Sequence, residues 1–471
     1  MTITAEQIAA AVADVMGSFD ATTRSPSTST YAEVTDGVFT SADAAVQASV
    51  AAQRRYMGFP MSFRKDIVEA IRRWATRPEN LRYMADEAVR ETGMGKAEDK
   101  YLKNKIAAEQ TPGVEDLSTD AWSGDDGLTT VELSPFGVIA AITPTTNPTE
   151  TILCNAIGML AAGNSIVFSP HPRARHLSGW LVRQLNAVLD KLGAPANLIT
   201  LLDDPTQTGV AELMHHPDVR LIVATGGPGI VHLALSSGKK AIGAGAGNPP
   251  VVVDASADIA KAAADIIAGC AFDNNLPCTA EKEVIAVDAI ADLLIFEMQK
   301  AGAYLVTDAA ELARLESLLL DNARPAGRWI GQSADAILRA IGVTPPSGIQ
   351  AIIVETDLGH PFVQLELMMP VLAIVRAPNV DRAIEWAIEC EHGNRHTAIM
   401  HSADVNALTR MGRLIQTTIF VKNGPSYAGI GIGGEGFISF TIAGPTGEGV
   451  TSARSFARRR RCTLVGALNV R

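Results

Sequence analysis

The sequence predicts an α/β protein built on a doubly wound parallel sheet, and three observations lead there. Between about residues 136 and 235, apolar strand-like runs alternate with loops and helical stretches, the pattern of a parallel sheet whose ligands bind beyond the carboxyl ends of its strands. A second alternating set begins at 249–254 and runs on past 370. The chain has 471 residues, 47% of them hydrophobic, and 40 glycines, which is enough for roughly three units of a large α/β protein with ample core.

Residues 1–18 place Ile3, Ile8, Val12, Val15 and Met16 close to one helical stripe, so a short amphipathic helix is expected there. Residues 19–40 include a Ser/Thr-rich stretch at 20–30 and read as a linker. A tethered helix of this kind cannot bury its apolar face alone; it packs on its own body or docks on another protein. From Ser41 to Glu109 the pattern is helical, notably over 44–50, 63–74 and 81–93. Asp125-Asp126-Gly127 marks a turn into the β-like run 128–135. The strand 136–144 ends in the loop Thr145-Thr146-Asn147-Pro148, and a helix over 149–162 stops at Gly163-Asn164, good C-cap chemistry. Strand 165–168, helix 176–192 and strand 198–202 follow, and then 219–224 enters the loop Thr225-Gly226-Gly227-Pro228-Gly229, with a helix from Ile230. In the second set, helix 259–270 leads into Phe272-Asp273-Asn274-Asn275-Leu276-Pro277-Cys278 and strand 283–287. Helices near 289–301 and 308–320 and strands near 349–354 and 371–375 continue the alternation. Residues 429–449 are glycine-rich and loop-like, and 463–470 reads as a terminal strand seeking a sheet edge.

A formal net charge of −11 argues against nucleic acid or an anionic membrane as the main partner, and the run Arg458–Arg461 is a local feature. The five cysteines are scattered, odd in number and lack C-x-x-C spacing, which favours a reducing compartment over a disulfide framework or zinc knuckle. With no secretory signal and no apolar stretch of ~20 residues, a cytoplasmic protein is expected.

Three pieces could carry chemistry. Gly226-Gly227-Pro228-Gly229 between strand and helix lets backbone approach a phosphate, although a tight βα turn would read the same way. Cys278 sits on a loop beside Asn274, Asn275 and Thr279, where exposed N–H dipoles could lower a thiol from its free pKa of ~8.5. It could equally be core filler, as Cys154, Cys270 and Cys390 are read. His392 and His396, with Glu391 and His401 nearby, permit a metal alternative, but Gly393-Asn394 between them argues for a loop, and no metal is expected.

The runs 142–148, 224–229, 243–250, 272–278 and 366–370, in this order, make the chain resemble the aldehyde dehydrogenase superfamily from about Ser41 to the C-terminus. The resemblance is closest to the CoA-acylating branch of bacterial microcompartments. It implies an NAD-binding domain over 41–245 with an oligomerisation strand at 128–135, a catalytic thiol domain over 246–445, and a C-terminal oligomerisation segment over 446–471. It implies that Cys278 attacks an aldehyde and that Asn147 with the Cys278 N–H holds the oxyanion. It places Pro144, Thr225, Gly226, Gly227, Gly229 and Glu366 around NAD, preferred over NADP. An ungapped match would put Thr146 in place of Asn147. Gly243 stands where hydrolytic relatives carry a water-activating glutamate, so coenzyme A is expected to release the acyl group as acyl-CoA. Ser169 stands where many relatives carry a ribose-binding lysine. Further expectations are a short aldehyde such as propionaldehyde or acetaldehyde as substrate, a homodimer or homotetramer, and residues 1–18 as an encapsulation peptide toward a microcompartment shell. A hydrolytic dehydrogenase and an inactive cargo or scaffold protein are the rival readings.

Overall fold

The computed structural model describes residues 36–203 and 206–470. Six strands form an all-parallel sheet in the order Val38–Phe39, Ile199–Leu202, Ser165–Pro170, Val138–Thr143, Val219–Thr225, Ala241–Ala244. Parallel strands joined by helices are covered on both faces, which is why Val138–Thr143 and Ser165–Pro170 are buried throughout and largely apolar. From Val138–Thr143 the chain winds first to one side, through 165–170 and 199–202, and then to the other, through 219–225 and 241–244. A crevice therefore opens at the carboxyl ends of 138–143 and 219–225, where the Pro144–Asn147 loop and the glycine loop leave the sheet.

The second sheet is also all parallel, in the order Ala303–Val306, Ala351–Glu355, Val371–Ala377, Glu283–Val287, Pro250–Val253, Thr397–His401, Ile419–Lys422. Its first strand, its last two strands and the helices Val380–Cys390 and Val405–Ile415 are not foreseen by the sequence pattern. Short buried strands among polar residues leave little periodic signal.

Asp120–Gly124, Gly127–Pro135 and Ala457–Val465 form an antiparallel sheet, with Ala457 opposite Pro135 and Val465 opposite Gly127. The terminal strand thus starts six residues before the expected 463, and the run Arg458–Arg461 lies inside it. Val38 pairs with Leu201 and is 3% exposed, so the end of the expected linker is a strand. The remaining expectations for residues 1–35 lie outside the described residues.

Two helices position the site. Helix Pro148–Ala161 is buried at every residue and stops at Gly163 (φ +86°), where Asn164 N–H reaches back to Met159 O. Helix Ala97–Gln110 packs on it and buries Lys100, Lys103 and Asn104. Among the described residues, no helix is long and apolar enough to cross a membrane.

Candidate active site

The Cys278 loop is built from its asparagines. Asp273, Asn274 and Asn275 all have positive φ (48°, 53° and 65°), a conformation that Asn and Asp tolerate better than other side chains. The Asn274 amide donates to Gly331 O (2.8 Å), and Asn275 donates to Cys270 O (3.1 Å) and Glu281 O (2.9 Å). Lys282 Nζ donates to Asn275 Oδ1 (2.6 Å) and to Asn275 O (3.0 Å). Glu281 accepts from Ser426 N and Oγ, each at 2.8 Å. Every residue from Phe272 to Glu283 is buried except Cys278, which is partly exposed.

That exposure opens into a cavity of about 830 Å³, at the upper end of the ~300–1,000 Å³ usual for ligand sites. Pro144, Thr145, Thr146 and Asn147 line it from one strand end, Thr225, Gly226 and Gly227 from the next, and Glu366 lines it from the second sheet's side. Asn147 immediately precedes helix 148–161 and has no capping duty; its Oδ1 accepts from Lys103 Nζ at 2.6 Å. The cradle suits a pyrophosphate: Gly227 stands before the helix Pro228–Leu235, and a Cβ there would meet nothing within 4 Å. Gly229 lies inside that helix and does not itself line the cavity. Ser169 is buried in its strand away from the cavity.

Gly243 also proves to be off the wall. A Cβ there would press on Val231 Cγ1 at 2.9 Å, toward helix 228–235. The residues that line the cavity at that strand end are Ala244, Gly245 and Ala246, none with a titratable group.

The thiol is not activated at rest. Burial, and then the Glu366 carboxylate, push Cys278 up to about 12, with Lys282 acting the other way. This corrects the expectation that loop dipoles lower it, since desolvation outweighs them. Burial likewise lifts Glu366 to about 7.

Several lining side chains were not assigned a role from the sequence, and the following stand out. His396, considered there only as a metal ligand, is buried, held neutral by a pKa lowered to about 4, and has no hydrogen-bond partner at Nε2. Its Nδ1 pairs with Thr397 Oγ1, while His392 Nε2 turns to Gln364 O. His171 and Arg173 line the cavity too, in the loop after strand 165–170, and a basic group just past a strand end was the signal available for them.

The aldehyde dehydrogenase family model matches residues 16–314. A CoA-propanoylating propanal dehydrogenase of Salmonella typhimurium is 47% identical over 436 residues, covering 92% of this chain and 93% of its own length. A crystal structure of Rhodopseudomonas palustris propionaldehyde dehydrogenase, with bound CoA and an acylated cysteine, superposes with a TM-score of 0.92 at 60% identity, covering 93% of this chain and 100% of that one. A propionaldehyde dehydrogenase from the fucose utilisation bacterial microcompartment of Clostridium phytofermentans gives 0.90 at 50% identity over 92% of this chain and 100% of its own.

Proposed function

Because the chain belongs to the aldehyde dehydrogenase family, we propose that it oxidises a short aliphatic aldehyde with NAD and releases the product as acyl-CoA. One observation carries this reading. A single cavity joins Cys278, Asn147 and the Gly226-Gly227 cradle, while the strand end at 244–246 offers no carboxylate to activate water. The relatives named for CoA-propanoylation and for bound CoA support the same outcome.

Cys278 is the nucleophile. His396, neutral and unpartnered at Nε2, is the base that takes its proton. As the sulfur bonds to the carbonyl carbon, negative charge grows on the oxygen, and Asn147 Nδ2–H with the Cys278 N–H holds it. The positive end of helix 148–161 lies beside that charge. Gly226 and Gly227 would hold the pyrophosphate of NAD and Glu366 its nicotinamide ribose, and the bound group would supply the hydride acceptor. Cys278 then carries the acyl group as a thioester and yields it to the thiol of the substrate coenzyme A, again with His396 as base. Arg173, on the same wall, suits the phosphates of either nucleotide.

The strand Ala457–Val465 is exposed along nearly its whole length, as is Trp122 on the neighbouring Asp120–Gly124. This sheet is the surface we assign to homodimer or homotetramer assembly. The microcompartment source of one close structural neighbour supports residence in such a compartment, with residues 1–18 directed to the shell.

The test is NADH formation from propanal and NAD by purified protein, with and without coenzyme A. NADH formation that depends on coenzyme A, with propanoyl-CoA as product, is expected. NADH formed without coenzyme A, with propanoate as product, would sink the acylating reading.

A further inference from the structure

A cluster of charges lies wholly inside the protein, directly behind the cavity. Lys103 Nζ is fully buried and donates to Asn147 Oδ1 at 2.6 Å and to Asp273 Oδ2 at 2.5 Å, with Glu150 Oε1 at 3.2 Å. Lys100, three residues earlier on the same helix, donates to Thr146 O (3.1 Å) and Asp273 Oδ2 (3.0 Å). Asp273 in turn accepts from Lys96 N–H at 2.7 Å through Oδ1, and its own N–H donates to Asp99 Oδ2 at 2.8 Å. One helix face therefore grips both the Thr146-Asn147 loop and the start of the loop that carries Cys278.

Taking ammonium and carboxylate groups out of water costs several kcal/mol per ion, and apolar residues of similar volume are often as stable or more so. Stability alone is therefore a poor reason for such a cluster. The Asn147 amide gives a better one. An ammonium can only donate, so the amide oxygen must face Lys103 and the NH2 must face the other way. One N–H goes to Thr146 Oγ1 at 3.1 Å, and the other is left for an oxygen in the cavity that Asn147 lines.

We propose that Lys103 is a positioning residue of the reaction: its ammonium holds the Asn147 amide by the oxygen, presents the N–H to the substrate oxygen, and strengthens that donor as the oxyanion forms. The proposal rests on the oxyanion role assigned to Asn147. A cation on the amide oxygen draws electron density from nitrogen, and hydrogen bonds in a chain polarise one another in a low-dielectric interior. The lysine touches neither substrate nor sulfur and acts through the asparagine.

A double-mutant cycle tests this. Lys103→Met is made together with Glu150→Gln, so that no carboxylate is left beside an absent ammonium and Lys100 still faces Asp273. Asn147→Ala should lower kcat by ~10²–10³, the cost of one oxyanion donor. The Lys103→Met/Glu150→Gln protein should lose roughly tenfold or more in kcat with the aldehyde KM changed by less than about threefold, because a donor to the developing oxyanion matters most in the transition state. Added to Asn147→Ala, the same pair should cost less than about threefold more, since the group it acts through is gone. An equal loss in both backgrounds overturns the proposal and leaves the oxyanion reading standing. An unchanged kcat in Asn147→Ala overturns the oxyanion reading and the proposal with it. If the apolar variant is insoluble, Lys103→Arg enters the same cycle, and its loss must likewise shrink in the Asn147→Ala background.

Discussion

Cys278 should react far more slowly than an ordinary thiol when no ligand is bound, and the size of the effect can be worked out. Its pKa is pushed from an ordinary 9.0 up to about 12. At pH 8 the thiolate fraction therefore falls by about 10³ relative to a small reference thiol. A more basic thiolate is intrinsically more nucleophilic, with a Brønsted slope of ~0.4–0.5, which returns a factor of roughly 15 to 30 over three units. Iodoacetamide should thus alkylate Cys278 roughly 30- to 70-fold more slowly than the reference at pH 8. Solvent reaches the sulfur through the cavity, so this ratio is an upper bound. Peptide mass spectrometry reads Cys278 separately from the exposed Cys462. The pH profile separates electrostatics from access: hindered access lowers the rate equally at every pH, whereas a raised pKa keeps it climbing about tenfold per unit past pH 9. Glu366 supplies part of the shift and titrates at about 7, so Glu366→Gln should speed alkylation a few-fold at pH 8 and have little effect at pH 6. A rate that levels off near pH 9, or one unchanged by Glu366→Gln at pH 8, would refute the electrostatic account.

Cys278→Ala should abolish turnover while leaving NAD affinity, read by fluorescence titration, within about twofold; substantial residual NADH formation would remove it as nucleophile. Gly227→Ala should leave Tm unchanged or slightly higher, because φ is −64° and a Cβ meets nothing within 4 Å, yet weaken NAD binding roughly tenfold by filling the cradle; unaltered affinity would count against that loop. Gly247→Ala puts a Cβ 2.9 Å from His396 Cγ and 3.0 Å from Cys278 O, and a shift of that loop should cost kcat on the order of 10²-fold, measured beside thermal melts that report any loss of fold. His396→Ala should lower steady-state turnover by ~10²-fold or more, and retention within threefold would exclude it as the base.

The sequence by itself determined a good deal of this protein. Apolar runs such as 138–143 and 165–170, punctuated by Gly163-Asn164, specify parallel strands and the turn between them, because strand burial and the backbone freedom of Gly163 are local properties. Local chemistry also made Cys278 a candidate, whereas Asn147 came from the resemblance of the ordered motif runs to the aldehyde dehydrogenase superfamily. Helix 97–110 shows the limit. Nothing local in the sequence marks its lysines as buried, and only the fold brings Asp273 and Glu150, some 170 and 47 residues away from Lys103 along the chain, to neutralise them behind Asn147. His396 entered the sequence reading only through a disfavoured metal alternative, and packing is what puts it on the cavity wall with Nε2 unpartnered. The state of the thiol was decided at the same level. A pKa depends on burial and on charges brought in from elsewhere in the chain, here Glu366 and Lys282, so the sequence located the sulfur while the tertiary structure set its proton affinity.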